Sequence, residues 1–261
     1  MIERPMFDPP LGLTKPGLFI TGTDTGVGKT VVTCAIARCL RQRHADLRVS
    51  VCKPFASGCR LEGDVLVSED VEALAHFAGC EQPLKMISPL RWSAPLAPAP
   101  AAESAGQTID CDALAGALRA LDNAGDVLLV EGIGGLCVPI DPANPSLTTL
   151  DLIAALAYPV VVVTRAGLGT LNHTAMTVRL LRQAGCDMAG LVVNAYESAG
   201  AVVVDDPSVA SNAIWMTRMT GVPVLATTPA CAPDDVVPHE GRLASPILDA
   251  MRSIDWRALM R

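Results

Sequence analysis

The sequence predicts one α/β domain, a doubly wound and mostly parallel sheet flanked by helices, of the phosphate-loop NTPase type. Three observations carry that expectation. Short apolar runs rich in β-branched residues alternate with helical patterns along the 261 residues, the order produced by successive βαβ units. Half of the residues are hydrophobic yet only 3% are aromatic. The core must therefore be built from Ala, Val and Leu, which suits helices packed on strands that are apolar on both faces. Finally, a glycine-rich loop stands between the first such strand and the first such helix.

Met1 to Lys15 carries early acids and prolines rather than the basic-then-apolar pattern of a secretory signal. It reads as a loose arm ahead of a domain over residues 16–261. Gly17 to Thr21 is the first strand. The loop Gly22-Thr23-Asp24-Thr25-Gly26-Val27-Gly28-Lys29-Thr30 follows, and Val31 onwards continues as a helix to about Arg43. The loop fits G-x-x-x-x-G-K-[ST] with Thr23 in place of the first glycine, Gly22 lying one residue early. Backbone N–H groups of such a loop, with the positive end of the helix dipole, hold phosphates. Lys29 is placed to reach the outer phosphates, and the Thr30 hydroxyl to ligate Mg²⁺. A plain glycine-rich turn with a solvated lysine is the competing reading, and the strand–loop–helix context argues against it.

Arg48 to Lys53 reads as a second strand, ended by Pro54 and followed by Ser57-Gly58 in a loop. Lys53 thus falls at the carboxyl edge of the sheet, where open α/β folds bind ligands; a lysine that only keeps a strand end soluble is the alternative. Ser68-Glu69-Asp70 opens a helix, with Asp70 either a carboxylate favoured by the dipole at a helix start or a metal ligand. The prolines between Pro89 and Pro100 exclude a helix interior and predict an extended or looping path. Helical pattern resumes from Cys111 to Leu121.

Asp126 to Glu131 is a buried strand that ends in a carboxylate and turns through Gly132-Ile133-Gly134-Gly135. Nucleotide-hydrolysing phosphate-loop proteins place a metal-organising carboxylate at such a strand end, and glycines let the backbone approach a ligand closely. An acid capping a tight turn is the alternative. Tyr158 to Thr164 is a further strand. Gly167 to His173 leads into a long helix to about Ala184, and Met188 to Asn194 is a strand ending in an amide. Asn194 offers one donor and one acceptor group to an adenine edge, or serves as a turn residue. Val209 to Thr220 predicts a helix, Val222 to Leu225 a short strand, and Pro246 to Leu259 a last amphipathic helix.

The net charge of −7 leaves no electrostatic footprint for nucleic acid. No apolar run approaches the length of a membrane span. The nine cysteines are odd in number and form no Cys-x-x-Cys, which points to reduced thiols in a cytoplasmic protein.

In combination, three motifs resemble the dethiobiotin synthetases: Gly-Thr-Asp-Thr-x-Val-Gly-Lys-Thr at Gly22–Thr30, Lys-Pro-x-x-Ser-Gly at Lys53–Gly58, and Val-Glu-Gly-x-Gly-Gly at Val130–Gly135. Asn194 at a strand end and the helix start Leu171-Asn172-His173 agree with them. The resemblance implies ATP- and Mg²⁺-dependent closure of a ureido ring on 7,8-diaminononanoate. Carbon dioxide first forms a carbamate on one amine; the carbamate takes the γ-phosphoryl group of ATP to give a carbamic–phosphoric anhydride; the second amine closes the ring and releases phosphate. It further implies catalytic roles for Lys29, Lys53 and Thr25, and metal ligation by Thr30, Asp70 and Glu131. Nucleotide contacts are implied from Gly26, Val27, Gly28, Lys29, Thr30, Val31, Asp70, Glu131, Gly132, Ile133, Gly134, Asn194, Ala195, Pro229 and Cys231. Substrate contacts are implied from Ser57 and, across a homodimer interface, from Gly169, Thr170, Leu171 and Asn172 of the partner. Gly26 replaces an acid that well-known members carry in the loop. Ala226-Thr227-Thr228-Pro229 stands for the family's Gly-x-Ile-Pro. No role is implied for the first 15 residues or for the segment after about Asp234.

Two rival classes are weighed against this. Cobalamin-type amide-forming ligases share the first motif but usually carry a glutaminase domain, for which the chain after Thr220 leaves no room. Nucleotide-switch ATPases usually have an extra lysine early in the loop, and Thr23 to Val27 contain none. The last helix, mixing Asp249, Arg252, Asp255 and Arg257, is not a basic amphipathic membrane anchor.

Overall fold

The computed structural model describes residues 6–7, 11–195 and 208–261. The first half contains β1 (Gly17–Gly22), α1 (Lys29–Arg43), β2 (Val49–Cys52), β3 (Phe55–Ala56), β4 (Arg60–Glu62), β5 (Val65–Val67), α2 (Glu69–Ala78), α3 (Leu84–Ile87), β6 (Leu90–Arg91), α4 (Pro98–Ser104) and α5 (Cys111–Ala124). The second contains β7 (Val127–Glu131), α6 (Thr149–Leu156), β8 (Val160–Arg165), α7 (Thr170–Gln183), β9 (Met188–Asn194), α8 (Val209–Thr220), β10 (Val224–Thr228) and α9 (Ser245–Arg252). Six strands form one sheet in the order β10-β9-β8-β1-β7-β2, and every pairing in it is parallel. The chain runs outward from β1 to β2, returns to β7 between them, and then crosses to β8 on the far side of β1. Because the strands are parallel, their carboxyl ends lie along one edge, the edge that carries the site.

The strands β1 and β7 at the middle of the sheet and the edge strand β2 beside them are buried at every residue. Leu18, Phe19 and Ile20 of β1 and Val160 to Val163 of β8 are fully shielded from solvent. That is the condition that makes a continuous β-branched run, rather than an alternating one, the signature of a parallel strand.

Three local expectations are corrected. Proline density does not keep the chain extended at Pro98, where α4 begins with Pro98 as a first-turn residue. Amide groups in a first turn have no intrahelical partner, so prolines there remove nothing the helix uses. The last helix ends at Arg252 rather than Leu259; beyond it Trp256 is buried and its ring N–H donates to the Met251 carbonyl, anchoring a turn. Part of the N-terminal arm is docked. Leu11 is buried, and the Thr14 and Lys15 amides donate to the Asp122 carboxylate at 2.9 Å each. Residues 1–5 and 8–10 of that arm lie outside the described residues.

Candidate active site at the carboxyl edge of the sheet

The phosphate loop is shaped by Gly28, which caps α1 with φ 87°. A side chain there would meet the Asn194 amide nitrogen at 2.0 Å, so both backbone conformation and space require glycine. Asn194 ends β9 next to the loop, and its amide donates to the Val27 carbonyl at 2.9 Å while its oxygen accepts from the Thr228 hydroxyl at 2.5 Å. The loop is thereby pinned from behind. Its shoulder is held by Arg165 at the end of β8, which donates to the Thr25 carbonyl at 3.2 Å and lies 3.6 Å from the Asp24 carboxylate.

Lys29 is buried and its ammonium donates to the Asp24 carbonyl at 2.9 Å. Burial, and after it the nearby Lys53 ammonium, push its pKa down to about 8. A cation held in that state lacks a full anionic partner, and an incoming phosphate is such a partner.

Lys53 follows β2 directly, and its amide donates to the Ile87 carbonyl at 2.8 Å, which fixes the turn that aims the side chain. The ammonium donates to the Asp70 carboxylate and, at 2.7 Å, to Glu131 Oε1. Burial alone would lower its pKa, but the two carboxylates, Asp70 foremost, hold it above the usual lysine value. Asp70, at the start of α2, is held below the usual carboxylate range: burial works against this, and the Lys53 ammonium outweighs it. The Thr30 hydroxyl donates to the same Glu131 oxygen at 2.8 Å. Glu131 Oε2 is buried with no hydrogen-bond partner. A buried carboxylate oxygen without a partner is costly, so this oxygen fits a donor or cation that arrives with the ligand. Among the described residues no cluster of three or more His, Cys, Asp or Glu forms a self-sufficient metal site. Two carboxylates and a hydroxyl match a divalent ion that completes its shell with phosphate oxygens and water.

These groups open on one cavity of about 500 Å³. Of the residues singled out from sequence, Thr25, Gly26, Gly28, Lys29, Thr30, Val31, Lys53, Ser57, Asp70, Glu131, Gly132, Ile133 and Gly134 line it. The structure does not bring Val27, Asn194, Ala195, Pro229 or Cys231 to that cavity. Asn194 is 1% exposed because its amide spans from the loop to β10. Nor does the cavity include Gly169, Thr170, Leu171 or Asn172; the Thr170 hydroxyl turns inward, donating to the Arg165 carbonyl at 2.7 Å.

Glu69, Ala73, Pro95, Val236, Pro238 and His239 also line the cavity and were not foreseen. Glu69 stands beside Asp70 at a helix start, a position that could have drawn notice. The Val236–His239 stretch carries no motif.

A family model described as an AAA domain matches residues 16–233. The chain is 44% identical over 213 residues to the ATP-dependent dethiobiotin synthetase of Anaeromyxobacter dehalogenans, covering 82% of this chain and 89% of that protein. It is 38% identical over 239 residues to the enzyme of the same name from Rhodococcus jostii, covering 90% and 92%. Among solved structures, the MinC:MinD cell division complex of Aquifex aeolicus matches with TM-score 0.52 at 14% identity over 92% of this chain and 95% of that one. A ParA family ATPase from Chlorobium tepidum matches with TM-score 0.52 at 14% identity over 94% and 99%. At such low identity these two structures speak for the fold alone.

Proposed function

Since the chain belongs to the ATP-dependent dethiobiotin synthetase family, we propose that it uses ATP to close the ureido ring of dethiobiotin from 7,8-diaminononanoate and carbon dioxide. The observation that supports this most directly is the meeting of Lys29, from the start of α1, and Lys53, from the end of β2, on one cavity beside Thr30, Asp70 and Glu131. A nucleotide binder needs only the first lysine. Transfer of a phosphoryl group to a carbamate brings two anions together, and a second aimed cation lowers the cost of that approach.

The chain's groups divide the work as follows. Loop amides and Lys29 hold the β- and γ-phosphates. Thr30, Asp70 and Glu131 would hold Mg²⁺, which neutralises phosphate charge. Lys53 neutralises the carbamate and follows the charge that develops on the transferred phosphoryl group. Thr25 and Ser57 orient the diamine and its carbamate. Ala195, Pro229 and Cys231 are assigned to the nucleotide base, while Asn194, its amide and oxygen both engaged, braces the loop from behind. The tested consequence is substrate-dependent turnover: ADP release should rise strongly only when diaminononanoate and bicarbonate are both present. Turnover indifferent to the diamine would favour a nucleotide-switch ATPase instead.

The substrate carboxylate is assigned to Gly169–Asn172 of a partner subunit, at the start of the 14-residue α7, where helix-end amides attract anions. Exposed apolar side chains lie on or beside these helices, Leu168 and Met176 at α7 and Ile214, Trp215 and Met219 on α8, a pattern that favours a protein contact. Asn172→Ala is expected to raise the KM for diaminononanoate about tenfold with little change for ATP; equal effects on both would remove the cross-subunit site. Trp215→Asp with Met219→Asp should shift the protein from dimer to monomer in sedimentation velocity, and an unchanged dimer would place the interface elsewhere. Among the described residues no helix is long and apolar enough to cross a membrane, and we assign the enzyme to the cytoplasm with its substrates.

A further inference from the structure

The match to the family model stops at residue 233, but the cavity does not. Val236, Pro238 and His239 form part of its wall, together with Val31 at the start of α1 and Glu69 and Ala73 of α2. This stretch is a closed loop rather than a trailing end. The Val237 amide donates to the Arg242 carbonyl at 3.0 Å and the Arg242 amide returns a bond to the Val237 carbonyl at 3.1 Å. Gly241, at φ 76°, lets the backbone lie against His76 of α2; a β-carbon there would come within 2.8 Å of the His76 ring. Val236 is buried beneath it. The wall is therefore a closed turn held by its own backbone hydrogen bonds and by its packing on α2.

His239 is the one histidine on the cavity among the described residues. Its Nδ1 lies 3.7 Å from the Glu69 carboxylate and its Nε2 lies 3.9 Å from that of Glu240. Both distances exceed a hydrogen bond, so the ring keeps a donor for something else. Glu69 also puts a negative charge on the rim of a site built for phosphates, which disfavours an anionic ligand unless a donor stands between them. The His239 ring lies next to Glu69 and lines the same cavity, beside the helix start that carries Asp70.

We propose that the loop Val236–Gly241 closes the nucleotide pocket and that His239 donates a hydrogen bond to a phosphate oxygen of the bound nucleotide. The proposal rests on the reading of this cavity as an ATP site and adds to it a residue beyond those that the family model matches. Calorimetric titration of the full chain with Mg·ATP and Mg·ADP tests it in the wild type, His239→Ala and His239→Gln. The alanine variant should bind about tenfold more weakly, the size of one hydrogen bond to a charged group. The glutamine variant, whose amide can donate in place of the ring, should return to within about threefold. The KM for diaminononanoate should be unchanged in both. A second measurement needs no variant: Mg·ADP should protect His239 of the wild type from carbethoxylation by diethyl pyrocarbonate, read by mass spectrometry. Alanine within twofold of wild type, or a His239 that reacts equally with and without nucleotide, overturns the closing role alone. Wild-type protein that binds no Mg·ATP overturns the ATP reading, and the closing role with it.

Discussion

Lys53→Gln is expected to slow dethiobiotin formation by about 10²–10³-fold, the usual size for the loss of one charge aimed at a transition state, while ATP binding changes by no more than a few fold. The split follows from where the two lysines stand. Lys29 sits within the phosphate loop, its ammonium on the loop's own Asp24 carbonyl, so it belongs to nucleotide binding. Lys53 reaches the cavity from β2 and spans Asp70 and Glu131, so its charge lies on the side from which an acceptor approaches. Glutamine keeps much of the length and can still donate to Glu131, but it leaves two carboxylates facing one another without a cation. Breaking a buried ion pair by removing one partner is commonly destabilising by about 3–5 kcal/mol. Here the loss should fall below that range, because Asp70 is about half exposed. Single-turnover assays at saturating ATP, set beside a thermal melt, separate the two effects. Turnover equal to wild type would remove Lys53 from the chemistry.

Glu131→Gln is expected to raise the Mg²⁺ concentration for half-maximal turnover by about tenfold or more and to lower the maximal rate. One Glu131 oxygen already serves Lys53 and Thr30, and the other is buried without a partner. The neutral amide would place an N–H donor where a carboxylate oxygen now stands, either against the Lys53 ammonium or in the unpartnered position. Both arrangements repel a cation. Asp70→Asn should act in the same direction but less, since Asp70 is more exposed to water and its charge is better screened. A Mg²⁺ titration of the Glu131→Gln enzyme that overlays the wild type would contradict the metal assignment.

The parts of the site that were legible in the sequence are those where a short motif fixes a backbone shape. The phosphate loop, the acid at the end of β7 and the helix start at Asp70 each follow from a local pattern, and each lands on the cavity. What was missed is local too in some cases. Thr148 and Asp151 form a capping box that opens α6, a signature that was present to be read. Gly63-Asp64 joins β4 to β5 in an antiparallel hairpin, as such a pair of turn residues often does. Asn194 shows the opposite limit. Its place at a strand end is visible in the sequence, but the direction of its amide depends on β10 and on how close Gly28 lets the loop come.

The sequence by itself determined the class of fold, the strand order's starting motif and the identity of the charged groups, because alternating patterns and glycine positions act within a few residues of the chain. Only the tertiary structure decided that Lys53 pairs with Asp70 and Glu131, that Arg165 braces the loop at Thr25, and that Val236–His239 returns to wall the cavity. Those contacts join residues from about 17 to more than 160 positions apart. Their geometry is set by strand order and helix packing, which no local pattern of side chains encodes.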